Sequence, residues 1–211
     1  MFTGIIQEIG SITAIKANKE TATATIKSEK LLKGRKIGDS IAVDGICSTI
    51  TKLDSDSFEV QYMQETLKLT TASSFKENTQ VNLEVPIKAG DTFDGHFVQG
   101  HVDCKGKIAQ INAQDETAEI TIEFPEELTK FTAIKGSTTI NGVSLTISKI
   151  EMGKLTVSLI PHTLQNTNLG TLKKGDEVNI EVDLLARYIK NLLDDKEEET
   201  TYQFLRERNI I

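Results

Sequence analysis

The chain has 211 residues, of which 38% are hydrophobic and 26% are charged, and its formal net charge is −7. This composition is typical of a globular protein, and an acidic chain without a basic cluster argues against a nucleic-acid partner. No apolar run is long enough to span a membrane, and residues 1–6 lack the regions of a signal peptide. The two cysteines, Cys47 and Cys104, and three histidines show no metal-ligand spacing, which argues against a disulfide and a metal site and favours a cytoplasmic location.

Val, Ile and Thr alternate with polar residues along most of the chain, which is the pattern of half-buried strands. The first six predicted strands lie at 8–15, 22–28, 40–43, 46–53, 58–64 and 80–86. After a polar linker at 89–92, six more are predicted at 104–112, 117–124, 137–140, 143–150, 154–160 and 177–182. Pro125, which is followed by two acidic residues, predicts a helix start. Six short strands separated by turn signals are typical of a small closed barrel.

The second half of the chain repeats the first. Asn82 and Asn179, like Glu84 and Glu181, are identical pairs separated by 97 positions, and near the start of the chain the separation is 96. This period is too long for a solenoid repeat and matches one small domain. The sequence therefore predicts a tandem duplication, with domains at 1–95 and 96–183 and a tail at 184–211.

One short motif occurs once in each copy. An Asx-Gly turn signal, at residues 44–45 and 141–142, precedes an alternating strand. One face of each strand carries two small hydroxyl or thiol groups, which suit hydrogen bonding to a flat polar ligand. These groups belong to Cys47, Thr49, Ser144 and Thr146. For a single copy, a solvent-exposed strand face explains the same residues, and both interpretations stay open at this point.

The tail differs in kind from the two copies. Apolar residues recur at helical spacing and predict an amphipathic helix; they are Leu184, Leu185, Tyr188, Ile189, Leu192 and Leu193. A charged run at 194–199 and the pair Phe204-Leu205 follow. Because the first copy has no such stripe, we expect the apolar stripe of the tail to serve self-association. The alternative is that the helix packs on its own barrel.

Four motifs together resemble the riboflavin synthase family (alpha chain, with lumazine-binding repeats) over residues 1 to about 193. They are Met-Phe-Thr-Gly-Ile-Ile at 1–6, Gly-His-Phe-Val-Gln-Gly-His-Val-Asp at 95–103, Asn-Gly-Val-Ser-Leu-Thr at 141–146 and Leu-Ile-Pro-His-Thr at 159–163. The resemblance implies an all-β fold of two tandem six-stranded Greek-key barrels plus a C-terminal α-helix, and a homotrimer. It implies a transferase that converts two molecules of 6,7-dimethyl-8-ribityllumazine into riboflavin and a ribitylamino-pyrimidinedione by four-carbon transfer. No metal or redox cofactor is implied, and an association with lumazine synthase stays open.

The resemblance also implies two half-sites, which meet between the N-terminal barrel of one subunit and the C-terminal barrel of the next. The N-terminal half-site is expected to contain Gly4, Ile5, Ile6, Ser40, Cys47, Ser48, Thr49, Gln61, Tyr62, Met63, Gln64, Glu65 and Thr66. The C-terminal half-site is expected to contain Gly100, His101, Val102, Lys135, Ser144, Leu145, Thr146, Ile160, Pro161, His162, Thr163, Leu164 and Gln165. The expected catalytic residues are Ser40, Cys47, His101, Asn141, Ser144 and Thr146.

The two copies differ at positions that bear on chemistry. His101 replaces Ile5, which favours proton transfer or a ribityl contact over a plain surface histidine. Cys47 replaces Ser144, which predicts that its sulfur assists by transient addition or proton transfer, although a small buried residue is an alternative. Ser40 would position water or an adduct. Lys135 would contact a ribityl hydroxyl or a ring carbonyl, unless it is merely solvated.

Three positions depart from the usual family pattern. Ser48 lies where leucine is usual, Asn141 where aspartate is common, and Glu84-Val85-Pro86 where a Glu-Arg pair is usual. A serine on an apolar face loses burial energy unless its hydroxyl is bonded. These departures leave an alternative function open: a non-catalytic lumazine- or flavin-binding antenna protein on the same fold. A purely structural oligomer is a third alternative, which the polar strand faces of both copies disfavour.

Overall fold

The computed structural model describes residues 1–193 and residue 206, and within them two closed antiparallel barrels of six strands each. The first barrel has the strand order β1-β2-β5-β4-β3-β6. Its strands are β1 (Glu8–Ala17), β2 (Thr21–Lys27), β3 (Ser40–Val43), β4 (Ile46–Leu53), β5 (Ser57–Met63) and β6 (Gln80–Glu84). The second barrel repeats this order with β7 (Cys104–Gln114), β8 (Thr117–Glu123), β9 (Ser137–Ile140), β10 (Val143–Glu151), β11 (Lys154–Leu159) and β12 (Glu177–Val182). The predicted pair of barrels is confirmed.

Strand ends differ from the predictions by a few residues, for local reasons. β6 ends at Glu84; Pro86, two residues further on, has no N–H to donate to a ladder. β5 ends at Met63 because Gln64 begins a helix. Short helices close the barrel ends: α1 (Gln64–Leu69), α2 (Pro161–Asn166) and 3₁₀ helices at Thr71–Ser74, Glu126–Phe131 and Asn168–Thr171. The helix start predicted at Pro125 is a 3₁₀ helix, with Pro125 at its N-cap position.

Residues 184–193 are helical, as the spacing predicts. The apolar stripe of this C-terminal helix does not pack on its own barrel, since five of its six residues are more than half exposed: Leu185, Tyr188, Ile189, Leu192 and Leu193. Arg187, on the same helix, pairs with Asp103 of the second barrel. The charged run at 194–199 and the pair Phe204-Leu205 lie outside the described residues. No helix in the described part of the chain is long and apolar enough to cross a membrane.

Each barrel encloses its own apolar core because strand side chains alternate between the inside and the outside. In β4, Ile46, Ser48 and Ile50 point inward and are buried, while Cys47 and Thr49 are exposed. In β10 the inward residues are Val143, Leu145 and Ile147. The predicted faces of the two motif strands are therefore confirmed.

The barrels meet through reciprocal contacts that reflect an approximate twofold relation. The amide of Asn82 donates to the Asn141 carbonyl at 3.0 Å, and the amide of Asn179 donates to the Asp44 carbonyl at 2.8 Å. Asp44 and Asn141 have φ values of 47° and 46°, which confirms the two predicted Asx-Gly turns. These turns lie back to back, so the repeated motif also forms the interface between the barrels.

Candidate ligand-binding half-sites

A row of small polar side chains lies on the outer surface of each barrel. On the first barrel, Cys47 and Thr49 of β4 are exposed, and Ser40 of β3 lies directly opposite Thr49. On the second barrel, Thr146 of β10 is exposed and Ser144 is half-buried on the same outer face. Thr146 lies opposite Ser137. Ser137 was not among the predicted site residues, although the 97-residue offset from Ser40 identifies it.

Two segments that precede the barrels complete these surfaces, and they cross over. We call residues 2–6 arm 1 and residues 98–102 arm 2; the two pair with each other at Phe2 and Val98. The Ser144 N–H donates to the carbonyl of Gly4 at 2.8 Å, and the Cys47 N–H donates to that of Gly100 at 2.9 Å. Each arm therefore lies beside the strand of the opposite barrel.

This crossing corrects the predicted grouping of the half-sites. Gly4, Ile5 and Ile6 belong beside the second barrel, and Gly100, His101 and Val102 belong beside the first. Side-chain packing agrees, since Ile6 contacts the core of the second barrel and Val102 contacts the core of the first. The repeat alone could not reveal the exchange, because an internal duplication does not say which copy a preceding segment joins.

The close approach of the arms requires glycine. Gly4 and Gly100 have φ values of +78° and +77°, a region that L side chains avoid. A Cβ atom on Gly4 would lie 2.6 Å from the Ser144 Cβ, and one on Gly100 would lie 2.7 Å from the Cys47 Cβ. Any side chain at either glycine would therefore push an arm away from the polar row.

The runs 61–66 and 160–165 lie where β5 and β11 lead into α1 and α2. The exposed side chains of these runs are Gln61, Met63, Gln64 and Glu65 on the first barrel, and Ile160, His162 and Gln165 on the second. Thr66, Pro161, Thr163 and Leu164 are half-buried. A cleft of about 480 Å³ lies between α2 and the first two strands of the first barrel, and its lining includes Ile6, His162 and Gln165 but no residue of either polar row.

A buried histidine contacts the second polar row. The His96 Nδ1 atom lies 2.7 Å from the Ser144 hydroxyl, and the imidazole Nε2 is buried without a partner among the described residues. Burial lowers the pKa of His96 below its ordinary 6.5, with the Asp183 charge acting in the opposite direction. His96 is therefore neutral at pH 7. His96 lies within the family motif at 95–103 but was not among the predicted site residues.

The first polar row has different groups. Cys47 carries a free and exposed thiol, and His101 is exposed on arm 2, whose Gly100 bonds to the Cys47 backbone. The other cysteine, Cys104, is free and buried. The two rows thus share a backbone frame but differ in their groups: the first has an exposed thiol and the exposed His101 on the adjoining arm, and the second has a hydroxyl in contact with the buried His96.

Two copies of the lumazine binding domain match the chain, at residues 3–86 and 99–183. The riboflavin synthase of Actinobacillus pleuropneumoniae is 42% identical over 193 residues, covering 92% of this chain and 90% of that protein. The chain belongs to the riboflavin synthase family. The Bacillus subtilis member is 40% identical, covering 96% of this chain and 94% of that protein.

Solved structures of LumP are similar to the whole pair of barrels. The complex of LumP with 6,7-dimethyl-8-(1'-D-ribityl) lumazine has a TM-score of 0.79 at 27% identity, and it covers 86% of this chain and 99% of LumP. The complex with riboflavin has a TM-score of 0.81 at 26% identity, with the same coverage.

The departures from the riboflavin synthase family pattern have structural explanations inside and between the barrels. The Ser48 hydroxyl donates to the Ile46 carbonyl at 2.9 Å and bonds to the Tyr62 hydroxyl at 3.3 Å, so its burial leaves no polar atom unpaired. Asn141 is buried between the barrels, where its oxygen accepts from the Asn179 N–H and its amide donates to Asn168. The structure therefore does not bring Ser48, Tyr62, Leu145 or Asn141 together with the outward polar groups, except through the backbone.

Lys135 has a backbone conformation that is costly for lysine. Its φ is 67°, and the first barrel has Gly38 at the corresponding position with φ +94°. The backbone contact is the same in both, since the N–H of Lys135 donates to Ile147 and that of Gly38 to Ile50. Lysine is therefore held in the left-handed region at a turn position where glycine would be unstrained.

Proposed function

We infer that the chain is a riboflavin synthase, a transferase that converts two molecules of 6,7-dimethyl-8-ribityllumazine into riboflavin and 5-amino-6-ribitylamino-pyrimidinedione. The observation that carries this inference is a pair of lumazine binding domains whose outer polar rows share one backbone frame. The reaction consumes two copies of one ligand, which suits two similar half-sites. The two substrates together contain every atom of the two products, so the transfer of four carbons needs no external oxidant.

We propose that each half-site combines one polar row with the crossing arm. The first contains Ser40, Cys47, Thr49, the run 61–66 and arm 2; the second contains Ser137, Ser144, Thr146, Lys135, the run 160–165 and arm 1. Backbone groups of β4 and β10 would hydrogen-bond the pyrimidinedione edge, and exposed hydroxyls would bond ring atoms. Holding two flat substrates in register supplies proximity and orientation, which accounts for a large part of the acceleration.

The chemistry begins with loss of a proton from the C7 methyl group, and the lumazine ring stabilises the resulting carbanion. The protein then needs only correctly positioned general acids and bases of moderate strength. We propose that Ser144 and neutral His96 form the carrier at the second half-site, supported by their 2.7 Å contact. At the first half-site, we propose the Cys47 thiol and the His101 imidazole, which are accessible on adjacent segments.

We propose that the active enzyme is a cytoplasmic homotrimer, in which the first half-site of one subunit faces the second half-site of the next. Two observations support association. The stripe of the C-terminal helix is exposed, and exposed apolar residues occur near both rows at positions 97 apart: Ile37 with Ile134 and Met63 with Ile160. The tail 184–211 would then serve oligomerisation. An association with lumazine synthase stays a prediction.

A second candidate function is a non-catalytic lumazine- or flavin-binding protein. LumP, which has been solved with lumazine, riboflavin and flavin mononucleotide, has the same pair of barrels. This alternative is the weaker one because the riboflavin synthases are much more similar in sequence, at 36–42% identity.

The deciding experiment incubates the purified chain with 6,7-dimethyl-8-ribityllumazine and follows riboflavin absorbance, with chromatography of the pyrimidinedione. We expect steady formation of both products in equal amounts. Tight binding of lumazine without product would contradict the enzyme and support the antenna protein.

Sedimentation of the wild type and of the double variant Leu185→Glu/Ile189→Glu tests the assembly. We expect the wild type to be a trimer and the double variant to dissociate. A monomeric wild type would contradict the proposed trimer.

A further inference from the structure

Each barrel ends in a buried glutamate that binds an arm. The Glu84 carboxylate, at the end of β6, accepts hydrogen bonds from the Thr3 N–H at 2.7 Å, the Thr3 hydroxyl at 2.9 Å and the Gly4 N–H at 3.0 Å. The Glu181 carboxylate, at the corresponding place in β12, accepts from the N–H groups of Gln99, Gly100 and His101 at 2.8, 2.9 and 3.1 Å. Both glutamates are 3% exposed.

Placing these carboxylates at the buried end of a strand costs desolvation free energy. Burial raises the pKa of Glu84 and raises that of Glu181 to about 7, although the amide donors act in the opposite direction. An apolar residue would avoid this desolvation. What the glutamates provide is an acceptor group that can hold three donors of one short segment in a fixed arrangement.

The segment that each glutamate holds bonds to the opposite barrel. Glu84 belongs to the first barrel, yet arm 1 bonds through Gly4 to Ser144 of the second. Glu181 belongs to the second barrel, yet arm 2 bonds through Gly100 to Cys47 of the first. The path from carboxylate to polar row runs through a single residue in each case, and the space between glycine and strand admits no side chain.

We propose that Glu84 and Glu181 are positioning residues, each for the half-site on the barrel opposite its own. Glu181 fixes arm 2, and thereby Gly100 and His101, against the first polar row. Glu84 fixes arm 1 against the second polar row. Each half-site therefore depends on a carboxylate from the other barrel, so that neither barrel completes its ligand site alone. The term half-site rests on the proposed function; the positioning itself does not.

The near-symmetry of the chain provides a matched pair of variants, Glu84→Gln and Glu181→Gln. Glutamine keeps one acceptor oxygen and nearly the same volume but loses the charge that strengthens the bonds. Amide hydrogen exchange, measured by NMR on the full chain, reads the two critical bonds directly, because the Cys47 N–H donates to arm 2 and the Ser144 N–H donates to arm 1. Exchange reports local opening without requiring any ligand.

We expect a crossed pattern. Glu181→Gln should accelerate exchange at Cys47 about tenfold and leave Ser144 unchanged, and Glu84→Gln should do the reverse, since each loses charge-assisted bonds to one arm only. Faster exchange confined to the barrel that carries the substitution would show a merely structural role and overturn the proposal. Unchanged exchange at Cys47 and Ser144 in both variants would also overturn it.

Two further measurements keep the test decisive. If a glutamine variant does not fold, Glu84→Asp and Glu181→Asp, which retain the charge on a shorter side chain, are expected to show the same crossed pattern more weakly, and its absence there would count against the proposal. In parallel, the wild type is assayed for riboflavin formation. Crossed exchange in a chain without synthase activity would support the positioning role and refute the proposed function. Synthase activity without crossed exchange would support the proposed function and refute the positioning role.

Discussion

The Ser48 hydroxyl lies 3.3 Å from the Tyr62 hydroxyl inside the first barrel, where the second barrel has Leu145 and Leu159 at the corresponding positions. One copy of the duplicated domain thus carries a polar pair in place of an apolar pair. Tyr62 is 3% exposed and packs edge-on against Phe75. The unusual serine and the tyrosine are therefore one structural unit, and they should be tested together.

Replacing Ser48 alone should destabilise the chain. In Ser48→Leu the added side chain meets the Tyr62 ring and leaves the tyrosine hydroxyl unpaired, which together should lower the free energy of unfolding by about 2–4 kcal/mol. The double variant Ser48→Leu/Tyr62→Leu, which reproduces the second barrel, should recover most of this loss. Urea unfolding measures both. Additive losses in the double variant would mean that the two residues are not coupled.

Asp44 should make the stability of the chain fall as pH rises. Burial raises its pKa from the ordinary 3.8 to about 7, so the folded state binds more protons than the unfolded state between these values. Stability from this group is full below about pH 4 and is lost as the pH rises through about 7. Asp44→Asn should therefore gain on the order of 2 kcal/mol at pH 8, less than the roughly 4 kcal/mol that the whole shift represents, and almost nothing at pH 4.

The second barrel provides the reverse substitution as a control for Asp44→Asn. Asn141 occupies the corresponding turn, and Asn141→Asp would introduce a second buried carboxylate between the barrels. Its stability should drop at pH 8 and approach that of the wild type at pH 4. Urea unfolding at both pH values decides the matter, and a gain from Asp44→Asn that is equal at pH 4 and pH 8 would exclude the titration.

Lys135 should lower the stability of the folded chain and strengthen its binding of lumazine. In Lys135→Gly the left-handed backbone becomes unstrained, so the free energy of unfolding should rise by about 1 kcal/mol. Loss of the ammonium group should weaken lumazine binding about five- to tenfold. Lys135→Asn, which tolerates the same φ, serves as a control that should lose binding with little change in stability. Fluorescence titration with lumazine and thermal unfolding measure the two effects; unchanged affinity in both variants would make Lys135 a solvated residue.

His96 and Ser144 should act as one unit in turnover. Burial lowers the pKa of His96, so the neutral imidazole persists at pH 7 and is lost only as the pH falls through that lowered pKa. The wild-type rate should fall over the same acid range. His96→Asn and Ser144→Ala should each reduce kcat about 100-fold, with a smaller change in KM, and should abolish the acid limb of the pH–rate profile. The double variant should be little worse than either single variant, and multiplicative losses would contradict a shared role.

The fold could be predicted from the sequence because its signals are local and repeated. Alternation at period two placed all twelve strands, and a fixed offset of 97 showed that one domain occurs twice. The Asx-Gly signals at 44–45 and 141–142 gave both turns, since few other residues tolerate their φ values. The outward polar faces of β4 and β10 followed from the same alternation.

Only the tertiary structure decided how these parts meet. The arm that precedes each barrel bonds to the other barrel, the pair His96 and Ser144 joins segments 48 residues apart, and Ser48 finds its partner in Tyr62 across the core. Hydrophobic periodicity in the sequence indicates none of these contacts, because it reports which face of a strand is buried and not which distant segment covers that face. The sequence by itself determined two barrels with a polar row on each; long-range packing decided that each row is completed by an arm held by a carboxylate of the opposite barrel.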